Sequence, residues 1–223
     1  MKSKRALISG VTGQDGAYLA KLLLSKGYKV FGTFRRTSTP NFWRLQYADV
    51  YSKINLIPAD LTDMGSLINS IKISDPDEVY NMAAMSFVRT AFEQPVGNSH
   101  STGTAVTRFL ESIKSINPNV KFYQASSSEM FGNSNTQIQN EQTSFSPASP
   151  YAAAKLYAHW ITKIYQEAYD MFAVSGILFN HESPIRGLEF VTRKITNAAA
   201  QIKLGLKKDI SIGNLQSKRD WGY

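Results

Sequence analysis

Cysteine is absent from the 223 residues, and long apolar runs are absent as well. Without cysteine the chain forms no disulfide and no thiolate metal site, and we predict no metal site of another kind. The apolar run after the basic start, residues 6–9, is too short for a signal peptide, and no run is long enough to span a bilayer. These absences lead us to expect a cytoplasmic protein without a membrane partner.

A dense basic segment is also missing, although the chain carries 25 Lys and Arg against 17 Asp and Glu, a net charge of +8. Because these cations are scattered along the sequence, we expect no nucleic-acid partner. Two other interpretations stay open: a few cations bind an anionic small ligand, or most of them are simply solvated. The hydrophobic share of 43% is enough for one domain with a sizeable core, and possibly for part of a second.

Six short apolar runs alternate with longer stretches of helical spacing. We predict strands at residues 5–9, 29–34, 54–58, 78–82, 120–125 and 173–179. Helices are predicted at residues 18–24, from a cap at Asp60 or Thr62 to about residue 73, at 101–116 and at 151–171. This alternation is typical of an α/β fold with a parallel sheet, helices on both faces and right-handed crossovers.

Residues 133–149, NSNTQIQNEQTSFSPAS, are mostly polar and contain one proline, Pro147. We interpret this stretch as a long surface loop over the functional site. A disordered linker between two domains is the competing interpretation.

A glycine-rich stretch, SGVTGQDG, joins the first predicted strand to the first predicted helix. In this context Gly10 permits a tight turn, Gly13 lets backbone N–H groups approach a pyrophosphate, and Gly16 lets helix and strand pack closely. The helix N-terminus favours the phosphate charge. We therefore predict a Rossmann-type doubly wound sheet that binds a dinucleotide, also through Thr12, Gln14 and Asp15; an ordinary glycine-rich turn is the alternative.

The second predicted strand ends in arginine where an NAD site usually has an acidic residue. A guanidinium group binds a 2′-phosphate that a carboxylate would repel. We therefore predict NADP as cofactor with Arg35 as its ligand, the alternative being that Arg35 and Arg36 are solvated. Asp60 and Leu61 end the third strand, where a side chain would reach the adenine. After the fourth strand, the small residue Ala83 leaves room for the cofactor.

Tyr151 and Lys155 lie four residues apart at the start of the predicted helix 151–171. This spacing places the phenol and the ammonium on one helical face. A nearby cation stabilises phenolate and lowers the phenol pKa from about 10, so that Tyr can exchange a proton with a substrate hydroxyl. A helix with Tyr and Lys on one face is common, so this pair indicates a catalytic site only in combination with the glycine-rich stretch.

Several motifs together resemble the extended short-chain dehydrogenase/reductase family, and more closely its GDP-mannose dehydratase branch. They are GVTGQDGAYLA at 10–20, NMAAMSFV at 81–88, FYQASSSEMFG at 122–132, GILFNHESPIRG at 176–187, FVTRKI at 190–195 and KRDWGY at 218–223. The resemblance covers essentially the whole chain. It implies an NADP-dependent lyase that converts GDP-mannose to GDP-4-keto-6-deoxymannose by internal redox and loss of water.

The resemblance also assigns the catalytic residues. Ser127 matches the Ser or Thr that hydrogen-bonds the sugar C4 oxygen, and Tyr151 and Lys155 match the family's proton-transfer pair. Glu129 matches the base that removes the C5 proton before the C6 hydroxyl leaves as water. Residues that match substrate-binding positions are Ser86, Asn180, Glu182, Arg186, Lys194 and Arg219.

Two departures stand out: Phe87 replaces a frequent His, and Ile185 precedes Arg186 where two Arg often occur. The resemblance implies an NADP-binding domain at 1–180, a substrate-binding region at 181–223, and a homo-oligomer, dimer or tetramer. The motif at Tyr223 continues in the family, so we expect a truncated form or a part of a longer chain. An epimerase or reductase on a related nucleotide sugar is the nearest alternative, and a catalytically silent NADP-binding scaffold is another.

Overall fold

The computed structural model describes residues 3–136 and 138–223. The chain divides into two compact units, Met1–Leu178 and Phe179–Tyr223. The assignment of an NADP-binding role to the first and a substrate-binding role to the second stays a prediction.

The described residues of the first unit form a parallel sheet of six strands in the order β3-β2-β1-β4-β5-β6. These strands are β1 Arg5–Ser9, β2 Lys29–Phe34, β3 Asn55–Pro58, β4 Glu78–Asn81, β5 Lys121–Ser127 and β6 Ala173–Leu178. The order reverses between β1 and β4, so the carboxyl ends of these two strands flank a crevice where ligands bind in doubly wound sheets. The predicted fold class and all six strands are thereby confirmed.

Helices cover the sheet. They are α1 Gln14–Ser25, α2 Trp43–Tyr47, α3 Met64–Ser74, α4 Val88–Glu93, α5 Pro95–Asn98, α6 Thr104–Ile116 and α7 Pro150–Tyr169. Shorter turns of helix occur at Tyr51–Lys53 and Ser128–Met130, and a π-helical turn occurs at Ser99–Gly103. The sequence did not predict α2, α4, α5 or the π turn, and the predicted helix 101–116 begins as α-helix only at Thr104.

The core lies where the sheet meets α3, α6 and α7. Each of the first five strands contributes one apolar side chain to a single buried cluster, namely Leu7, Phe31, Ile57, Val79 and Phe122. The facing helices add Leu67 and Ile71 from α3, Val106, Phe109, Leu110 and Ile113 from α6, and Ala158 and Tyr165 from α7. Because this core continues across all five strands, it fixes the positions of their carboxyl ends relative to one another.

The cap of α3 differs from the prediction. Asp63, rather than Asp60 or Thr62, caps this helix, and its carboxylate accepts from the N–H groups of Gly65 and Ser66 at 3.2 and 3.0 Å. The carboxylate of Asp60 is instead occupied by Thr62, which donates its backbone N–H at 2.8 Å and its hydroxyl at 2.7 Å.

The described residues of 133–149 contain no regular helix or strand before α7 begins at Pro150, as the loop interpretation predicts. The alternative of a linker between domains is wrong, because the whole stretch lies inside the first unit.

The second unit contains β7 Asn180–His181, α8 Val191–Lys203 and β8 Trp221–Gly222. Strands β7 and β8 pair in parallel, with Asn180 opposite Trp221. Across residues 3–136 and 138–223, no helix has the length and apolar character needed to cross a membrane.

Candidate active site

The glycine-rich turn after β1 is built for close backbone approach. Gly10 has a φ of +69°, and a Cβ there would lie 2.8 Å from the Cα of Ala83, which follows β4. At Gly16 a Cβ would lie 2.5 Å from the Gly10 carbonyl oxygen. Neither position accepts a larger side chain without a backbone shift, so the turn brings the ends of β1 and β4 into contact at the crevice.

The start of α1 suits an anionic ligand. The N–H of Gly13 donates to the Gly10 carbonyl at 3.0 Å, which closes the turn, and α1 begins at the next residue. Within the described part of the chain, no side chain caps this helix N-terminus. A phosphate can therefore serve as the cap, since it would accept from the first N–H groups and lie at the positive end of the helix dipole. This turn fits the pyrophosphate of a dinucleotide.

The predicted ribose and adenine residues lie at the ends of β2 and β3. Arg35 directly follows β2 and is exposed, and Leu61 packs against the core cluster. Hydrogen bonds from the backbone and hydroxyl of Thr62 hold the pKa of Asp60 below its ordinary value, and the Arg35 charge adds to this effect. The structure therefore brings Arg35 and Asp60 into electrostatic contact, with the guanidinium open to solvent and to a phosphate.

Ser127 and Glu129 share one turn at the end of β5. The strand ends at Ser127, and its hydroxyl accepts from the N–H of Glu129 at 3.2 Å. Ser127 is thus the cap of the short helical turn Ser128–Met130, and Glu129, partly buried, is inside it. The capping bond fixes the carboxylate-bearing backbone relative to the Ser127 hydroxyl.

Tyr151 and Lys155 lie in the first two turns of α7. This helix begins at Pro150, and the Ser149 hydroxyl caps it by accepting from the N–H of Ala152 at 3.0 Å. Both functional side chains are buried, Tyr151 with 7% and Lys155 with 3% of its surface exposed. The Lys155 Nζ lies 5.8 Å from the centre of the Tyr151 ring, which confirms the shared face that the spacing predicts.

Lys155 ties α7 to β5. Its Nζ donates to the carbonyl oxygen of Ala125 at 2.6 Å, two residues before Ser127. Burial lowers the pKa of Lys155 to about 8, while the negative charge of Asp15 acts in the opposite direction. At neutral pH most molecules therefore carry a buried ammonium group next to the phenol, which favours phenolate.

The loop 133–149 connects the turn that holds Ser127 and Glu129 to the helix that holds Tyr151 and Lys155. It is fastened at its base. The N–H of Ser146 donates to the Met130 carbonyl at 3.0 Å, and the N–H of Asn133 donates to the Ser146 carbonyl at 3.1 Å. Phe145 stacks on Phe131 with ring centres 5.2 Å apart and meets His159 edge-on at 5.3 Å. The aromatic residues of this base were not predicted, although Phe131 lies inside a motif singled out in the sequence.

The predicted substrate residues have varied surroundings. Ser86 is exposed in the segment between β4 and α4. In the second unit Glu182 pairs with Arg186 at 3.5 Å and accepts from the Thr192 hydroxyl, which the sequence did not single out. The Arg186 guanidinium also stacks on Phe190 at 3.7 Å. Asn180 begins β7, and Lys194 and Arg219 are exposed. The structure thus joins Glu182 to Arg186 and leaves two of the cations open to solvent.

Comparisons with known proteins identify close sequence relatives. The family model described as GDP-mannose 4,6 dehydratase matches residues 7–223. GDP-mannose 4,6 dehydratase 2 of Arabidopsis thaliana is 51% identical over 99% of this chain and 61% of its own length. GDP-mannose 4,6-dehydratase of Sinorhizobium fredii (strain HH103) is 49% identical over 99% of this chain and 65% of its own length. The chain therefore spans slightly less than two thirds of these curated relatives.

A solved structure agrees on the fold. The dTDP-glucose 4,6-dehydratase of Streptomyces venezuelae, determined with NAD bound, matches with a TM-score of 0.78 over 88% of this chain and 62% of that chain. At 20% identity this match concerns architecture only. The family is shown by the sequence comparisons: with the family model matching residues 7–223 and the relatives at 49% and 51% identity, the chain belongs to the GDP-mannose 4,6-dehydratase family.

Proposed function

We propose that the protein is an NADP-dependent hydro-lyase that converts GDP-mannose to GDP-4-keto-6-deoxymannose and water. The observation that carries this proposal is the placement of Glu129 in the turn that Ser127 caps. This turn directly follows the strand that Lys155 ties to the Tyr151 helix. A carboxylate beside a Ser–Tyr–Lys group supplies what a dehydratase needs beyond an epimerase or reductase, namely a base for carbon. The names of the relatives at 49% and 51% identity support the same substrate.

The first part of the proposed reaction belongs to the residues of β5 and α7. Tyr151, as phenolate, takes the proton of the sugar C4 hydroxyl, and the Ser127 hydroxyl holds the C4 oxygen in place. The buried Lys155 cation stabilises the phenolate that has to be present before this proton transfer. When bound, NADP supplies the oxidising power for C4 and returns the same reducing equivalent to C6.

The second part belongs to Glu129. A ketone at C4 acidifies the neighbouring C5–H bond, so a carboxylate is a strong enough base to remove that proton. The same carboxyl group, now protonated, can deliver a proton to the C6 hydroxyl as it leaves as water. Because one residue serves both steps, the group at position 129 must accept and release a proton within each cycle.

A direct test is to incubate the full-length protein with GDP-mannose and NADP and to analyse the product by mass spectrometry. The proposal expects a nucleotide sugar lighter by one water, with no net change in the amount of oxidised cofactor. A product of unchanged mass would indicate an epimerase, and a gain of two hydrogens in a parallel incubation with NADPH would indicate a reductase. No product at all, with tight NADP binding, would favour a silent scaffold.

The preference for NADP gives a testable prediction about Arg35. We expect Arg35→Ala to weaken NADP binding by about 1.5–3 kcal/mol, the size of a charge-assisted hydrogen bond, and so by roughly 10- to 150-fold. NAD has no 2′-phosphate, so its dissociation constant should change less than about two-fold. Isothermal titration of both cofactors into both proteins measures the difference.

Arg36→Ala is the matched control, since Arg36 is also exposed and adjacent in sequence. This variant should bind both cofactors nearly as well as the wild type does. Equal losses of NADP and NAD affinity in Arg35→Ala would contradict the assignment of Arg35 to the 2′-phosphate.

The proposal keeps the cytoplasmic location and the homo-oligomeric state expected from the sequence. An exposed apolar patch on α7, formed by Tyr157, Trp160 and Ile164, supports association of subunits. Binding of the sugar nucleotide by Ser86, Asn180, Glu182, Arg186, Lys194 and Arg219 also stays part of the proposal. Light scattering at several protein concentrations would measure the number of subunits.

A further inference from the structure

A line of buried hydrogen bonds crosses the sheet and ends at the ammonium group of Lys155. The hydroxyl of Ser9 bonds to Oδ1 of Asn81, and Nδ2 of Asn81 donates to Oε1 of Gln124 at 2.7 Å. Nε2 of Gln124 then donates to the carbonyl of Ala125 at 2.9 Å, and this carbonyl also accepts from Lys155 at 2.6 Å. The line therefore joins β1, β4, β5 and α7 through polar groups with almost no contact with water.

The register of the sheet explains why the Ala125 carbonyl receives two side-chain donors. Strand β4 ends at Asn81, which lies opposite Gln124, so Ala125 lies one position beyond the last paired residue of β4. A carbonyl oxygen has two lone pairs, and here one faces the Gln124 amide and the other the Lys155 ammonium. The buried cation thus rests on an acceptor that a side chain, rather than the β4 ladder, holds in place.

The line has a fixed direction. Because Oδ1 of Asn81 accepts from Ser9, the amide nitrogen of Asn81 is turned to Gln124, and the same logic turns the Gln124 nitrogen to Ala125. Bonds arranged head to tail strengthen one another in a low-dielectric interior. A side chain that offered no donor to Ala125 would leave this carbonyl held only by the pairing of β5 with β6, so that it could tilt with the lysine.

We propose that Gln124 is a positioning residue that holds the Ala125 carbonyl, and through it the Lys155 ammonium, at a fixed place beside Tyr151. Gln124 is 1% exposed, so it acts on the substrate only through Lys155. The inference rests on the proposed function in so far as Lys155 acts by stabilising the Tyr151 phenolate. A fixed cation lowers the phenol pKa more than a mobile one, because the attraction falls with distance.

The test compares Gln124→Met with the wild type as full-length protein. Met has a similar length and removes both amide bonds. We expect the acidic limb of the kcat–pH profile to move to higher pH by about 0.5–1 pH unit, which lowers kcat roughly 3- to 10-fold on that limb. At higher pH the rate should approach that of the wild type, and KM for GDP-mannose should stay within about two-fold.

A spectroscopic readout is independent of turnover. The two protons on the ε-carbon of a held lysine have separate NMR shifts, and these converge when the side chain moves freely. In protein with labelled lysine we expect separate Lys155 signals in the wild type and converged signals in Gln124→Met. If the variant fails to fold, Gln124→Asn, whose side chain is too short to reach both partners, should show the same changes.

Thr162→Val serves as the control. It removes a buried hydroxyl that donates to the Ala158 carbonyl on the same helix α7, and it should leave both the pH profile and the Lys155 signals unchanged. An unshifted profile and separate Lys155 signals in Gln124→Met would overturn the proposal. A wild type that does not dehydrate GDP-mannose would instead overturn the proposed function, and the NMR comparison would still decide the role of Gln124.

Discussion

In Glu129→Gln we expect GDP-mannose to be oxidised at C4 and then to go no further, with turnover lowered about 100- to 10,000-fold. Gln keeps the size of the side chain, and the backbone N–H of residue 129 can still donate to Ser127. The first half of the reaction depends on Tyr151 and Lys155 and should survive. The second half needs a carboxylate to take the C5 proton, and an amide cannot do this at neutral pH.

Two measurements distinguish the first half of the reaction, oxidation at C4, from the second half, removal of the C5 proton. Nicotinamide absorbance should rise when the variant meets GDP-mannose and then persist, and the sugar recovered from heavy water should carry no deuterium at C5. Tyr151→Phe is the contrasting variant, because it blocks the initial oxidation and should give no absorbance change. Turnover of Glu129→Gln near the wild-type rate would mean that residue 129 serves only the turn, and the dehydratase mechanism would lose its main support.

In Lys155→Met we expect a protein that is more stable at pH 7 and almost inactive. Burial lowers the pKa of this lysine from its ordinary 10.5 to about 8, so at pH 7 the folded protein carries a charge that its surroundings disfavour. One pH unit in pKa corresponds to about 1.4 kcal/mol, which makes the cost of this charge about 3 kcal/mol. Met fills a similar volume without a charge, and Gln124 still donates to the Ala125 carbonyl that loses its second donor.

The gain in folding stability of Lys155→Met over the wild type should decrease as the pH rises. Between pH 8 and about 10.5 the folded wild type has released the proton while the unfolded chain still binds it, so raising the pH stabilises the wild type. The advantage of Lys155→Met should therefore be largest below pH 8 and nearly vanish above about 10.5. Urea unfolding at a series of pH values measures it.

Lys163→Met is a suitable control, because Lys163 lies on the same helix with half of its side chain exposed and an ion pair to Glu167 at 3.6 Å. Its free energy of unfolding should follow that of the wild type across the pH range. A Lys155→Met variant less stable than the wild type at pH 7 would show that the hydrogen bond to Ala125 outweighs the desolvation of the ammonium.

The strands could be predicted almost residue by residue because local signals bound them. Strands β1 and β2, Arg5–Ser9 and Lys29–Phe34, are apolar runs that glycine or a change to polar residues ends on each side. The cap of α3 could not be predicted as well, since Asp60, Thr62 and Asp63 are all good caps within four positions. The choice falls to Asp63 because Thr62 already occupies the Asp60 carboxylate.

In the candidate site, too, local relations could be predicted from the sequence and contacts between distant segments could not. Spacing alone placed Tyr151 and Lys155 on one helical face, because that relation is local. The acceptor of the Lys155 ammonium and the bond between Asn81 and Gln124 depend on the register of strands that lie 43 residues apart in the chain. Likewise the pairing of Glu182 with Arg186 follows from the folded path of the second unit. From their residue types alone, Glu182 and Arg186 were predicted to bind the substrate rather than each other.

The fastened base of the loop 133–149 makes the geometry of the active site independent of the length and sequence of the loop tip. The bonds of Ser146 to Met130 and Asn133 and the stacking of Phe145 on Phe131 set the spacing between the Glu129 turn and α7. The tip of the loop, described at residues 134–136 and 138–144, closes a ring on this base. Doubling the length of a flexible ring costs roughly 0.6 kcal/mol in closure entropy. Relatives could therefore exchange this tip for one of another length or sequence, and acquire new surface recognition, while their chemistry stays unaltered.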